Sequence, residues 1–379
     1  MSELPGVLRR GDAIVCGQAC AEPQTLLEQL VAQREALDGC SLFMGSSYSG
    51  IVGPQHADHL RIASYCGTGT NRALADAGAL EILPAPYSQL GGLIRSGRLR
   101  CDAVFVQVSP PNSRGEYSLG LGVEYLAPAI EACRVVVAEV NERVPWTHTE
   151  VLLREEDLDL VVASSRAPVV LDQGSPKEVE LRIARNAAQL VPERATIECG
   201  IGALPNAVVG ALAGRRGLRY HSGLVCDAVV DLEPESCVGG ALIGTPRLFA
   251  WARENDRLRL RSCDATHGAA SLARLERFVA INSAVEVDLS GQVNGEVARG
   301  SYVGAVGGAL DFVRAASQSP GGVSLTVVPA ARIVERLSGP VSVPRSEAGI
   351  VVTEHGAADL RGCTLGERER RLRRISGSS

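Results

Sequence analysis

The sequence predicts an α/β fold with two domains, each built around an open sheet. The chain has 379 residues, which exceeds the ~100 to 200 residues of a typical single domain. Short β-branched runs alternate with helical patterns along the chain, and Pro, Gly and Ser gather between residues 164 and 180 before a new helical pattern begins. We therefore predict an N-terminal α/β domain over residues 1–175 and a C-terminal α/β domain over residues 176–379.

The centre of the first half indicates a parallel sheet. The segments CDAVFVQVS (101–109) and CRVVVAEVN (133–141) are apolar runs typical of buried strands, and YLAPAIEA between them has a helical pattern. A strand, a helix and a second strand in this order form a βαβ unit with parallel strands. Upstream, TLLEQLVAQREAL (25–37) predicts an amphipathic helix.

The second half again combines strands, glycine-rich turns and helices. The helix that opens it has one apolar stripe, formed by Val179, Ile183, Ala187 and Leu190. A strand ATIEC (195–199), a turn GIGALP and a helix NAVVGALA follow, and FVAINSAVEVDLSGQVNG (278–295) predicts one strand with a turn at its end. The basic tail RERRLRRISGSS (368–379) predicts a solvated helix end with a frayed terminus.

Charge and composition restrict the partners. The net charge is -5 and no run of Lys or Arg stands out, which argues against nucleic acid. Lys177 is the only lysine, so a bound phosphate would be held by Arg or by backbone N–H groups. The N-terminus has no signal-peptide pattern and no apolar run reaches the ~18 residues of a membrane span, so we expect a cytoplasmic protein that does not enter the membrane.

The cysteines and histidines do not predict a metal site. Eleven cysteines, an odd number, are scattered through apolar segments, which suits reduced thiols better than a disulfide framework. Cys16 and Cys20 have no second pair nearby, and His56 with His59 lacks a third ligand at a familiar spacing. We expect no bound metal.

Two glycine-rich turns could bind an anion or an oxyanion. Glycines let backbone N–H groups face a ligand at the N-terminus of the helix that follows, where the helix dipole favours negative charge. Either turn alone could equally serve only to pack a helix on a sheet. The candidate residues are Gly200, Ile201, Gly202, Leu204 and Asn206 in the first turn and Gly304, Val306, Gly307 and Gly308 in the second.

Polar residues at strand ends are candidates for a substrate pocket. The loop 109–120 directly follows a buried strand, and ligands of open α/β sheets bind at the carboxyl ends of strands. Its candidate residues are Ser109, Pro110, Asn112 and Ser113, although the loop could also be a plain surface turn. Asn282 interrupts the apolar strand at 278–295 and needs a partner, either in the core or in a substrate.

Several of these segments together resemble the acetyl-CoA hydrolase/4-hydroxybutyrate CoA-transferase family, a branch of the class I CoA-transferases. The resemblance extends from about Cys101 to Glu369 and is looser before Cys101. The segments that carry it are, in order, VQVSPPNSRGEYSLG, VVAEVNERVPWTH, GIGALPNAVV, VVDL, AINSAVEVDLSGQVN, VGGALDFVRAA and VVTEHGAADLRG.

The resemblance implies two CoA-transferase-like open-sheet α/β domains with the active site between them. It also implies a homodimer or higher homo-oligomer, an acyl-CoA thioester as substrate, a small carboxylate as acceptor, and no covalently bound cofactor. The glycine-rich turns match family segments that line the thioester and CoA site. In place of a longer family loop with lysines the chain passes quickly to ARIVERL, so Arg314 and Arg332 are possible substitutes for holding the CoA phosphates.

The family's catalytic glutamate has no counterpart here. In the family this glutamate carries the acyl group as an anhydride and then carries CoA as a thioester, which suits a carboxylate nucleophile. Alignment on His221 and on the downstream VVDL places Gly223 at its position. The neighbouring candidates are Ser222, the thiol of Cys226 and His221 as a general base, with Asp227 to orient either of the last two.

Three hypotheses follow. The preferred one is an enzyme that acts on a CoA thioester, by hydrolysis or by acyl or CoA transfer, without the glutamyl-CoA intermediate. The second is a true CoA-transferase whose carboxylate comes from Glu233, Glu235 or a partner chain. The third is a catalytically inactive CoA-binding subunit, which the missing glutamate and the missing lysines would suit.

Overall fold

The computed structural model describes residues 4–377 and contains two large sheets. In the first half the strands are β1 (Ala13–Cys16), β2 (Ser41–Met44), β3 (Arg61–Ser64), β4 (Glu81–Ile82), β5 (Ala103–Val108), β6 (Tyr117–Ser118), β7 (Val135–Asn141), β8 (Leu152–Leu153) and β9 (Leu160–Ser164). The helices are α1 (Gln24–Ala32), α2 (Asn71–Asp76), α3 (Leu90–Arg95) and α4 (Leu126–Ala132). Seven strands form a parallel sheet in the order β4-β3-β2-β1-β5-β7-β9.

The second half contains an eight-stranded sheet and three small ones. Its strands are β10 (Thr196–Cys199), β11 (Arg219–His221), β12 (Leu224–Val225), β13 (Cys237–Gly239), β14 (Ala241–Leu242), β15 (Leu258–Leu260), β16 (Phe278–Ser283), β17 (Glu286–Asp288), β18 (Val293–Asn294), β19 (Val297–Ala298), β20 (Ser301–Tyr302), β21 (Val323–Val327), β22 (Ile333–Val334), β23 (Ile350–Thr353) and β24 (Gly356–Asp359). Its helices are α5 (Glu178–Ala188), α6 (Ala203–Gly210), α7 (Ala228–Leu232), α8 (Pro246–Ala252), α9 (Cys263–His267), α10 (Ala269–Leu272), α11 (Ala309–Gln318) and α12 (Leu365–Ile375). The large sheet has the order β15-β13-β11-β10-β16-β21-β23-β24, and only β24 is antiparallel to its neighbour.

The predicted α/β class is confirmed. All six residues of β5 are buried, as expected for a central parallel strand with both faces covered. β5, α4 and β7 form the predicted βαβ unit, with β5 and β7 parallel over six residue pairs. Within residues 4–377, none of the helices is both long enough and apolar enough to cross a membrane.

Three local predictions were wrong. Helix α1 ends at Ala32, because residues 33–40 turn back toward β2 and Gly39 takes the positive φ (+81°) that this turn needs. The segment 278–295 is three strands rather than one: β16 lies in the large sheet, while β17 and β18 pair in a small sheet that β22 completes. The tail helix α12 buries Leu372 and Ile375 against the C-terminal core, so only its arginine face is solvated.

The two large sheets face each other with the carboxyl ends of their central strands. The residues that follow β1, β2 and β3 lie opposite those that follow β10, β11 and β16. Backbone hydrogen bonds join the two halves here: Gly67 N–H donates to the Gly304 carbonyl at 2.8 Å and Val123 N–H to the Gly240 carbonyl at 2.9 Å. The region between the sheets is therefore a structured interface.

Tyr125 fixes the ends of β1 and β2 beneath this interface. Its buried hydroxyl donates to the Cys16 carbonyl at 2.9 Å and accepts from Gly45 N–H at 3.1 Å. We expect Tyr125→Phe to lower the free energy of unfolding by about 1–3 kcal/mol, since two buried backbone groups lose their partner. Urea unfolding measures this, and Tyr117→Phe is the control because the Tyr117 hydroxyl makes no hydrogen bond in the described chain. Equal stability of both variants would contradict the role of Tyr125.

Candidate active site between the two sheets

A cavity of about 350 Å³ lies between the carboxyl ends of the two sheets. We call it the interdomain cavity. The N-terminal half contributes Gln18, Ser46, Tyr65, Cys66, Thr68, Tyr87 and Glu124. The C-terminal half contributes Glu198 to Ile201, Ser222 to Leu224, His267, Asn282 to Val285 and Val303 to Ala309, among others. The cavity thus brings together groups that are far apart in the chain.

The imidazole ring of His267 lies against Gly223 in the cavity. A Cβ atom at Gly223 would lie 2.6 Å from Cε1 and 2.8 Å from Nε2 of His267, which is closer than real Cβ contacts. The ring lies between Tyr87 and Phe312, with ring centroids at 4.6 Å and 4.5 Å. Burial lowers the pKa of His267 to about 3, so the ring is neutral at physiological pH.

A buried carboxyl group borders the same glycine. A Cβ at Gly240 would lie 2.6 Å from the Gly223 carbonyl oxygen and 3.2 Å from Cγ of Glu124, so Glu124 and Gly223 flank one point. Gln18 Nε2 donates to Oε2 of Glu124 at 2.6 Å and to the Tyr87 hydroxyl at 2.9 Å. Burial raises the pKa of Glu124 to about 7, although hydrogen bonds from Gln18 and Tyr87 favour the ionised form.

The backbone of Glu124 is held in an unusual conformation. Its φ of +40° lies in the left-handed region that residues other than glycine seldom adopt. Hydrogen bonds to the other domain hold it there, since Glu124 N–H donates to the Arg261 carbonyl at 3.3 Å and Cys263 N–H donates to the Glu124 carbonyl at 3.1 Å. The carboxyl group is therefore positioned by the domain interface.

A second buried carboxyl group lies on the C-terminal side of the cavity. Glu198 Oε2 accepts from the Asn282 amide at 2.8 Å and from Ile281 N–H at 3.1 Å. Burial raises the pKa of Glu198 to about 8 despite these two hydrogen bonds. At neutral pH Glu198 is therefore mainly a neutral acid, and it can donate a hydrogen bond into the cavity.

The second glycine-rich turn contributes more of its candidate residues to the cavity lining than the first. Gly304, Val306, Gly307 and Gly308 all line the cavity, and helix α11 begins directly after them at Ala309. In the first turn Gly200 and Ile201 line the interdomain cavity, while Gly202 and Asn206 line a separate cavity of about 10 Å³. Leu204 is buried in the hydrophobic core and faces neither ligand space.

The candidates beside Gly223 are buried or are hydrogen-bonded to other parts of the chain. His221 lies outside the cavity lining and donates through Nε2 to the Thr266 carbonyl at 3.0 Å. The Ser222 hydroxyl lines the cavity but gives its proton to the Cys199 carbonyl at 2.9 Å. Cys226 is buried and reaches only the smaller cavity. Asp227 accepts from Thr245 N–H and hydroxyl, and so fixes the loop before α8 rather than His221 or Cys226.

Other sequence candidates lie away from the cavity. Ser109 donates to the Pro110 carbonyl, and Asn112 donates to Glu116 and accepts from Arg114 N–H, so the loop is stabilised by its own hydrogen bonds. None of its candidate residues, Ser113 included, lines the cavity. Glu233 and Glu235 are exposed and outside the cavity lining.

The two arginines that were candidates for holding the CoA phosphates also lie away from the cavity. Arg314 forms an ion pair with Glu347 at 3.2 Å, and Arg332 is exposed at the end of a short helical turn; neither lines the cavity. Among residues 4–377, no cluster of three or more His, Cys, Asp or Glu side chains is placed to bind a metal ion.

Sequence reasoning missed the groups that dominate the cavity, which are Gln18, Tyr87, Glu124, Glu198 and His267. A signal existed for Glu198, which is the one charged residue in the buried strand ATIEC. Glu124 and His267 had no such signal, because loops and a short helix place them. Their proximity to Gly223 exists only in the tertiary structure.

Two open α/β sheets that enclose a cavity with two buried carboxyl groups at their carboxyl ends are typical of an α/β enzyme with a site between its domains. The sequence matches the acetyl-CoA hydrolase/transferase N-terminal domain over residues 1–171 and the C-terminal domain over residues 244–379. The chain therefore belongs to the acetyl-CoA hydrolase/transferase family, and it is an enzyme of this family.

Relatives and solved structures agree with this assignment. The chain is 31% identical to the 4-hydroxybutyrate coenzyme A transferase of Clostridium kluyveri over 96% of this chain and 90% of that one. It is 30% identical to the acetyl-CoA hydrolase of Saccharomyces cerevisiae over 51% of this chain and 39% of that one. RipA from Yersinia pestis superposes with a TM-score of 0.93 at 25% identity, covering 99% of this chain and 93% of that chain. The 4-hydroxybutyrate CoA-transferase of Porphyromonas gingivalis superposes with 0.79 at 29% identity, covering 98% and 91%.

The buried carboxyl groups make stability pH-dependent. Burial raises the pKa of Glu198 from 4.5 to about 8, so the folded state binds this proton more tightly than the unfolded state. Its contribution is complete below about 4.5 and is lost as the pH rises to about 8. We expect Glu198→Gln to reduce the fall in unfolding free energy over this range, measured by urea unfolding at several pH values. The exposed Glu156→Gln should match wild type, and an unchanged slope in Glu198→Gln would contradict the assignment.

Proposed function

We propose that the protein hydrolyses acyl-CoA thioesters, with water in place of the family's glutamyl nucleophile. The observation that carries the proposal is that Gly223 has no side chain to attack, while the buried carboxyl group of Glu124 lines the same cavity. Glu124 is suited to proton transfer near neutral pH because burial raises its pKa to about 7. The CoA thioester as substrate is in keeping with the family.

The proposed reaction uses Glu124 as general base. Ionised Glu124 takes one proton from a water molecule, whose oxygen attacks the thioester carbonyl carbon and forms a tetrahedral intermediate. The C–S bond then breaks, and the sulfur of CoA leaves with the proton from Glu124. The products are a carboxylic acid and free CoA thiol, and Glu124 returns to its ionised form.

Other cavity groups suit the developing oxyanion. Helix α11 begins at the cavity, and its first backbone N–H groups and its dipole favour negative charge there. Glu198 in its neutral form and the amide of Asn282 are further polar groups that line the cavity.

A second candidate function is CoA transfer to a carboxylate, with Glu124 as a relocated nucleophile. The same observation favours it, since Glu124 is the carboxyl group next to Gly223. In this case Glu124 would attack the thioester itself and form an acyl-glutamyl anhydride, which hydroxylamine traps. Glu233 and Glu235 are poorer sources of the nucleophile because they are exposed outside the cavity.

The test is CoA thiol release from a panel of acyl-CoAs, each with and without added carboxylates. Hydrolysis predicts release by wild type without a carboxylate, and a decrease in kcat of about 10²–10⁴-fold in Glu124→Gln. Glu156→Gln is the matched control, because that glutamate is exposed. Formation of a new acyl-CoA from the added carboxylate without net thiol release, together with hydroxylamine labelling of Glu124, would replace hydrolysis by transfer.

The pH dependence of kcat gives an independent prediction. A base is active when ionised, so kcat for hydrolysis should rise with pH and level off above about 7, the pKa to which burial raises Glu124. Stopped assays of thiol release across this range measure the profile. In Glu124→Gln the residual rate should lose this inflection, and an inflection that persists would assign it to another group.

A further inference from the structure

The protonation pattern of His267 follows from its neighbours. The Thr266 hydroxyl donates to the Ser262 carbonyl at 3.0 Å, so its oxygen is left to accept. His267 Nδ1 lies 2.8 Å from this oxygen and therefore carries the proton in that hydrogen bond. Because the buried ring is neutral, Nε2 has a free lone pair.

Nε2 lies beside the place where a side chain of Gly223 would be, and Cε1 of the ring lies closer still. Nε2 lies 2.8 Å from the Cβ position of Gly223, and no atom of the described residues donates a hydrogen bond to it. A Cβ at Gly308 would also overlap the ring. The ring therefore occupies the space between two glycines and presents an acceptor to the cavity.

The surrounding contacts keep the ring in this orientation. Tyr87 and Phe312 pack on the ring, and Thr266 binds Nδ1. His221 Nε2 donates to the carbonyl of Thr266 and so holds the backbone of this residue in place. Rotation of the ring would break the hydrogen bond to Thr266 and the packing together.

We propose that His267 replaces the family's glutamate side chain in space and binds the attacking nucleophile through Nε2. The inference rests on the proposed hydrolysis: one O–H of the water donates to His267 Nε2, and the other proton passes to Glu124 as the oxygen attacks. His267 is a positioning residue in this step and exchanges no proton. The site would accept a small nucleophile with an O–H or N–H donor, such as water or hydroxylamine.

The first test separates positioning from packing. His267→Phe keeps an aromatic ring between Tyr87 and Phe312 but removes the acceptor. We expect kcat for hydrolysis to fall about 10²-fold with KM little changed, and the share of acyl group captured by added hydroxylamine to change. The exposed His355→Phe should behave as wild type. A folded His267→Phe variant with the kcat and the hydroxylamine share of wild type would overturn the proposal.

The second test does not depend on activity. Nitrogen-15 NMR of histidine-labelled protein, assigned by loss of one ring signal in His267→Phe, reports which ring nitrogen carries the proton. The proposal requires Nδ1 protonated and Nε2 unprotonated at neutral pH. A proton on Nε2 would overturn it, even if hydrolysis and the role of Glu124 were established.

The third test asks whether the ring occupies the glutamate's place. Gly223→Glu alone should give little carboxylate-dependent CoA exchange, because its side chain would collide with the ring. Gly223→Glu with His267→Asn should exchange at least ten-fold faster, since Asn is smaller and can keep the contact to Thr266. Equal exchange by the single and double variants, at equal stability, would show that His267 does not fill this space. This comparison stands even if the wild type hydrolyses no acyl-CoA.

Discussion

The contact of the His267 ring with two glycines is the constraint on which the site depends. Gly223 follows β11 and Gly308 precedes α11, so the ring connects two separate parts of the C-terminal half. Tyr87 from the N-terminal half packs on the same ring. Space for the imidazole exists only because both positions lack a side chain.

Burial of carboxyl groups is costly, and the domain interface offsets that cost with hydrogen bonds. Glu124 is stabilised by Gln18, whose amide also binds Tyr87 and whose oxygen accepts from Tyr65 and Ser46 N–H. Glu198 accepts from Ile281 N–H and the Asn282 amide, and burial raises its pKa further than that of Glu124. Two carboxyl groups in one cavity can thus differ in protonation at neutral pH, as acid and base roles require.

The family matches cover most of the fold but not the segment that contains Gly223. The fold superposes on RipA with a TM-score of 0.93, and the two family segments cover residues 1–171 and 244–379. Gly223 lies in the stretch between these two matches, while Glu124 and His267 lie within them. The strand order depends on backbone pairing and apolar burial, so it does not fix which side chains line the cavity around Gly223.

The sequence by itself determined the α/β class, the βαβ unit around β5 and β7, the family, and the glycine at residue 223, because apolar periodicity and local motifs are written in contiguous residues. It also indicated part of the cavity lining, since Gly223, Asn282 and the turn 304–308 all line the cavity, but it did not indicate the buried groups beside them. His221 was a candidate general base, but its Nε2 donates a hydrogen bond to the Thr266 carbonyl. The loop after Ser109 was a candidate part of the substrate pocket, but its polar groups form hydrogen bonds within the loop. Only the tertiary structure decided that Glu124 and His267 border Gly223, because residues more than forty positions away in the chain meet there through the packing of the two sheets.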